Sequence, residues 1–228
     1  LQKSGLVMLI PTETETVLID VSKNDDVIER TKKSLSFLEK YQEKKDSILA
    51  KTEVEYDDFF TYDQEKMDLL IKLEELEEKI ALTHEENSAL LEELDFYRPW
   101  LKLDVKLEDL TSSKYTDLFV GYVNSKDEEQ FLESLDALGC DYKLYGLDKD
   151  KRAIIFASYY QDKEKIDLLN KEYQFNELKF EDDGLVKDIV KRLEKQIVTN
   201  NLYIDEASKK LTKLTKDKEK LYILSDQA

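Results

Sequence analysis

Two stretches of this chain repeat apolar or small residues in alternating steps of three and four, and they flank a segment that does not. The first seam runs Leu69, Leu73, Leu76, Ile80, Thr83, Asn87, Leu90, Leu94 and Tyr97. The second runs Val190, Leu193, Ile197, Asn200, Ile204, Ala207, Leu211, Leu214, Lys218 and Leu221. That spacing is the a/d stripe of helices that bury one narrow face against another helix. A chain with two such seams around a different kind of segment has few ways to fold: it runs out along one helix, builds a small lobe, and runs back. The simplest pairing of the seams is an antiparallel coiled coil with the lobe at its tip, each arm about 45 to 60 Å long at roughly 1.5 Å per residue. With 38% charged residues, only 5 Gly and 2 Pro, the composition favours long helices over loops.

The intervening segment opens at Arg98-Pro-Trp-Leu-Lys-Leu-Asp104. Pro99 ends the first long helix, because proline lacks a donor and pushes the residue before it out of the α region. Tyr115 to Val123 is strand-like by its β-branched and aromatic content. Ser125 followed by Glu128 reads as a capping box, and the helix it opens carries Phe131, Leu135 and Leu138 on one face until Gly139 closes it. Asp141–Leu147 and Lys151–Tyr159 read as two strands around a turn, Asp162–Tyr173 as a second helix and Phe175–Phe180 as a fourth strand. The order βαββαβ commonly builds a four-stranded antiparallel sheet with both helices on one face, the ferredoxin-like arrangement. The predicted fold class is therefore α+β: long antiparallel coiled-coil helices carrying a small ferredoxin-like lobe.

Upstream, Leu1 to Gly5 reads as the last turn of a helix with a glycine cap, and Leu6 to Ile10 as a strand stopped by Pro11. A helix end without its beginning implies a fragment, so residues 1–22 are expected to be the remnant of another α/β lobe. Asn24 can cap a first helix with Ile28, Thr31, Leu35 and Leu38 inward. Around 52–62 the pattern breaks, and Phe59 and Phe60 lie among acids, either as a bend between helices or as a docking knob. The expected divisions are thus 1–22, an outgoing arm 23–98, a lobe 99–183 and a returning helix 184–228.

Charge and motif content exclude several function classes. A formal charge of -17 opposes a surface that must approach phosphate, so no nucleic-acid partner is expected. His84 is the only histidine and has no Cys at metal-ligand spacing. Cys140 has no basic neighbour in sequence to activate it. Asp148 and Asp150 lack the glycine and terminal glutamate of a calcium loop, and no glycine-rich phosphate cradle occurs. No catalytic residue, metal or cofactor is assigned, and no small-molecule substrate is expected. Asn87 and Asn200 fall at polar seam positions in opposite arms, where they either pair to fix register or each weaken a layer. Pro99, Trp100 and Leu101 are candidates for a hinge or partner contact, with Trp100 and Leu101 expected to pack under the lobe.

Together the glycine-capped helix and strand of Leu1 to Pro11, the long arm, the Arg98 to Asp104 segment, the strand Tyr115 to Val123 and the returning helix form an ordered set. In that order and spacing they resemble the N-terminal cytoplasmic region of subunit I of prokaryotic V-type (A-type) ATPases, whose eukaryotic equivalent is subunit a. The resemblance implies a non-catalytic stator on the cytoplasmic side of the membrane. Its lobes would receive the peripheral-stalk heterodimer of E- and G-type subunits, and a C-terminal region would join the membrane sector. The rod would resist torque while ATP turnover is coupled to proton or sodium movement. The alternative is a small-molecule sensor of the ACT type, in which a βαββαβ domain flanks a coiled coil. Its expected glycine is absent from the first strand–helix turn, Asn124 to Glu129.

Overall fold

The computed structural model describes residues 21–42 and 64–227. The expectations for 1–20, for the break at 52–62, and for Phe59 and Phe60 lie outside the described residues. Among the described residues six α-helices and four strands follow in order: α1 (Val21–Glu39), α2 (Gln64–Tyr97), β1 (Thr116–Asn124), α3 (Glu128–Ala137), β2 (Asp141–Asp148), β3 (Lys151–Tyr159), α4 (Lys163–Glu172), β4 (Asn176–Glu177), α5 (Val186–Leu214) and α6 (Lys218–Gln227). The chain divides into two compact units: residues 1–78 with 208–228, and residues 79–207. Both cuts fall inside long helices, α2 and α5.

In the first unit α1 packs against α6. Leu35, Phe37 and Leu38 of α1, Leu70 and Leu73 of α2, and Leu221 and Leu224 of α6 are buried. Arg30 binds Glu74 through two parallel bonds, Nε to Oε1 at 2.8 Å and a second guanidinium nitrogen to Oε2 at 2.7 Å. This paired geometry fixes α1 to α2 and holds the Glu74 carboxyl below its ordinary range, chiefly through the hydrogen bonds from Arg30. Asn24 lies inside α1, not at its cap, because the helix begins earlier.

The second unit is built on a four-stranded antiparallel sheet in the order β2-β3-β1-β4. Strand alternation gives it two apolar faces. On one, Val123, Ile154 and Phe156 meet Phe131 and Leu135 of α3 and Ile166 and Leu169 of α4. On the other, Val120, Tyr122, Ala153 and Ile155 meet Trp100, Leu94, Val186 and Leu193. The sheet is therefore covered twice, which is why the central strand β3 reads as a nearly continuous buried run.

Several sequence expectations are corrected. The fourth strand is two residues, not six: the rings of Phe175 and Phe180 turn inward onto Phe131 and Trp100. The Ser125–Glu128 capping box does not form; Asp127 holds the cap position of α3, and Glu128 instead accepts from Arg152 Nε at 3.0 Å. Gly139 does close α3, with φ of 70°. The returning helix is interrupted by a 3-10 turn at Thr215–Asp217, where the Thr215 hydroxyl donates to the carbonyl of Thr212 at 2.7 Å. Along α2 the seam holds from Leu73 to Tyr97, with buried and half-buried residues at each expected position, whereas at its start Leu70 is buried more deeply than Leu69.

Candidate interaction surface

The long helix α2 stops at Tyr97 and tightens into a 3-10 turn, Arg98–Trp100, with Pro99 in its first positions. Trp100 is fully buried and is the hub of the joint. Its indole Nε1 donates to the hydroxyl of Tyr122 at 2.9 Å. Its ring meets Tyr122, Tyr145 and Phe180 at centroid separations of 5.4 to 5.5 Å. Burial pushes the Tyr122 phenol above its ordinary value, and the Trp100 N–H partly offsets that push. Pro99 is buried against β2 at Gly146, where an added Cβ would lie 2.7 Å from the Pro99 backbone. Glycine is required there because two backbones touch. The β2–β3 register also shifts between Leu144 and Leu147.

A polar clamp holds the same region from α5. The Tyr97 hydroxyl donates to Asp182 at 2.9 Å, and Arg192 reaches Asp182 at 3.2 Å and Glu93 at 3.8 Å. Burial, followed by the Asp182 carboxylate, raises the Tyr97 phenol, so it stays protonated and donating. At the base of the sheet Leu107 N–H donates to the Gly184 carbonyl at 2.9 Å, and Gly184 N–H returns a bond to Glu108 at 2.6 Å. That second bond, from the Gly184 amide, lowers the Glu108 carboxyl.

The candidate residues separate on this geometry. Pro99 and Trp100 are interior packing elements, whereas Leu101 is 45% exposed and does not pack under the lobe as expected. Asn87 and Asn200 are both buried, but the bond across the helices runs from Asn87 Nδ2 to Asn201 Oδ1 at 3.0 Å. Asn87 Oδ1 and Asn200 Nδ2 are left as an unpartnered buried acceptor and donor. The Asn87–Asn200 pairing is thus displaced by one residue. His84 is exposed on α2. Cys140 is buried, and burial followed by Asp162 and Asp141 raises its thiol, the opposite of activation. Among the described residues no group of three or more His, Cys, Asp or Glu is placed to hold a metal ion, and no helix is long and apolar enough to cross a membrane.

Sequence reasoning missed an exposed aromatic cluster among the described residues. Tyr115, Tyr159 and Tyr160 are 69%, 58% and 62% exposed. They are separate in sequence, but the β1–β3 register places Thr116 opposite Tyr159, and Tyr160 N–H donates to the Tyr115 carbonyl at 3.0 Å. Lys114 lies 5.5 Å from the Tyr115 ring centre and Lys163 lies 5.8 Å from that of Tyr160. Exposed tyrosines backed by rigid strand ends are the side chains that anchor protein interfaces at low entropic cost. The available signal was an aromatic at the start of β1 and two at the end of β3, which becomes informative only when those ends are paired.

The fold these elements define is α+β, long helices joined to a four-stranded antiparallel sheet. It is similar to the crystal structure of the cytoplasmic N-terminal domain of subunit I, the homologue of subunit a, of a V-ATPase, with a TM-score of 0.53 and 14% identity over 99% of this chain and 78% of that one. The likeness is one of fold. No protein-family model matches the sequence, and comparison with curated proteins finds no match.

Proposed function

We propose that this chain is a non-catalytic stator region of a rotary V-type ATPase, on the cytoplasmic side of the membrane. The observation that carries the reading is the likeness, across nearly the whole chain, to the cytoplasmic domain of subunit I. On this reading α2 and α5 are the arms of an antiparallel coiled coil, the 99–183 segment is a ferredoxin-like distal lobe, and residues 1–22 belong to a proximal lobe. The arms resist torque while ATP turnover drives, or is driven by, proton or sodium movement, and a C-terminal region joins the membrane sector. The peripheral-stalk heterodimer of E- and G-type subunits docks on the distal lobe through Tyr115, Tyr159 and Tyr160. Their exposure supports this role, while Trp100 and Pro99 hold the lobe behind them. Leu101, half exposed beside the joint, is a secondary contact.

The test is calorimetric titration of the full chain with the stalk heterodimer. The expected result is micromolar binding that weakens at least about tenfold when the three tyrosines are changed to alanine, since interface anchors each contribute upwards of about 1 kcal/mol. Absence of binding at high micromolar concentration overturns the assignment. Binding that the triple variant leaves intact moves the contact elsewhere.

A further inference from the structure

At the opposite end of β1 from the exposed tyrosines, a cleft of about 180 Å³ opens between the end of β1, the β1–α3 turn and the end of α4. Asn124 faces Lys151 across the β1–β3 ladder, and Tyr122 faces Asn176 across β1–β4. Lys126 and Asp127 enter from the turn, and Glu172 enters from the end of α4. None of the charged or amide side chains lining this cleft is engaged in a hydrogen bond or ion pair with the rest of the described chain. Their neighbours behave differently: Arg152 is paired with Glu128 at 3.0 Å and Lys165 with Asp162 at 2.8 Å.

Two ammonium groups and two carboxylates that share a cleft without neutralising one another leave both signs of charge available to a guest. A small anion would meet Asp127 and Glu172 as well as the lysines, and a cation would meet both lysines, so neither alone satisfies the lining. A molecule carrying a carboxylate and an ammonium satisfies both, with Asn124 and Asn176 supplying amide donors and acceptors. The volume lies below the roughly 300–1,000 Å³ of clefts that take drug-sized ligands, which limits the guest to a few heavy atoms. Gln174, on the rim, has a φ of 51° because it closes α4: its N–H and that of Phe175 donate to the carbonyls of Lys171 and Asn170, at 3.3 and 2.8 Å.

We propose that this cleft binds a free α-amino acid, its carboxylate between Lys126 and Lys151 and its ammonium towards Asp127 and Glu172. The site is independent of stalk docking, which uses the other end of the strand, so failure of either reading leaves the other standing. The test is a titration of the full chain, followed by amide NMR shifts, with each common amino acid to about 10 mM, a range suited to affinities near millimolar. Inorganic phosphate and N-acetyl amino-acid amides serve as comparison probes. At least one amino acid is expected to shift the amides of residues 124–127 and 172–176 saturably, with affinity falling at least about tenfold in Lys151→Met and in Glu172→Gln, a loss of about 1.4 kcal/mol. The acetylated amides should give no saturable shift. The proposal is overturned if no amino acid saturates the cleft, if both variants bind like the parent chain, or if phosphate or the acetylated amides saturate it equally.

Discussion

Replacing Trp100 by Phe tests whether one buried hydrogen bond, and not ring packing alone, ties the end of α2 to the sheet. The substitution keeps an aromatic ring against Tyr145 and Phe180 but removes the Nε1 donor that meets Tyr122 at 2.9 Å. Tyr122 is only 6% exposed, so its oxygen cannot turn to bulk water for a replacement. Leaving a buried polar group without its partner costs about 1–3 kcal/mol, and the smaller ring adds about 1 kcal/mol of lost packing. Trp100→Phe should therefore cost about 2–4 kcal/mol. Tyr122→Phe alone strands the indole N–H and should cost about 1–2 kcal/mol.

With both changed, no orphaned group remains, so the double variant should cost no more than Trp100→Phe alone. The cycle then closes with a coupling of at least about 1–2 kcal/mol, above the roughly 0.3–0.5 kcal/mol within which independent sites add. Amide hydrogen exchange of β1 reads the stability of the sheet without requiring the two compact units to unfold together. A spectroscopic companion has a definite sign: because the Trp100 N–H lowers the Tyr122 phenol against its burial, Trp100→Phe should raise that phenol further. Additive single costs, within about 0.3 kcal/mol, would refute the coupled-bond account.

The Arg30–Glu74 pair predicts an acid-sensitive first unit. Because Arg30 lowers the folded-state value of Glu74 below the unfolded value of about 4.3, the contribution is complete above that pH and is lost as pH falls through the folded value. Both side chains are about one-third exposed, at 35% and 32%, so solvent screening limits the pair to about 1 kcal/mol. Urea midpoints should separate the parent chain from Glu74→Gln near neutrality and converge as pH falls below the lowered folded-state value of Glu74; a constant gap would contradict the linkage. At the polar layer, Asn200→Leu removes a buried unpartnered donor and should raise stability by about 1 kcal/mol in thermal unfolding. A loss of that size would instead show that Asn200 Nδ2 has found an acceptor, Asn87 Oδ1 being the complementary orphan.

How far the sequence can be read depends on whether a feature is local or needs a partner. The seam of α2 from Leu73 to Tyr97 follows from spacing alone, since a helix with one apolar stripe buries that stripe whatever covers it. The strands β1 to β3 follow from composition and turn residues in the same way. Asn87 marks its layer correctly, but whether residue 200 or 201 reaches across depends on helix rotation, which the spacing of one helix does not determine. The short β4 and the exposure of Leu101 have a similar origin. Phe175 packs on one face of the sheet and Phe180 with Trp100 on the other, so the backbone between the two phenylalanines leaves the ladder after two residues, and Leu101 beside the buried Trp100 is left half exposed. The tyrosine cluster and the charged cleft both arise from strand register, which joins Tyr115 to Tyr159–Tyr160 and Asn124 to Lys151 across long intervals of sequence. The 3-10 break at Thr215–Asp217 carries no proline or glycine to announce it.

The paired bonds between Leu107, Glu108 and Gly184 have an evolutionary consequence as well as a structural one. They bring the two ends of the sheet segment within a hydrogen bond of each other, the same geometry that lets an inserted domain sit in a host without disturbing it. A segment tied off at its base can lengthen a loop at its far end while the sheet face against Trp100, Leu94 and Leu193 keeps its packing and the helices keep their path. Divergence should therefore accumulate faster in the exposed loops between residues 109 and 183 than in the seams of α2 and α5, and a foreign domain inserted at the exposed β2–β3 turn, Lys149–Asp150, should be tolerated where insertion into either helix is not.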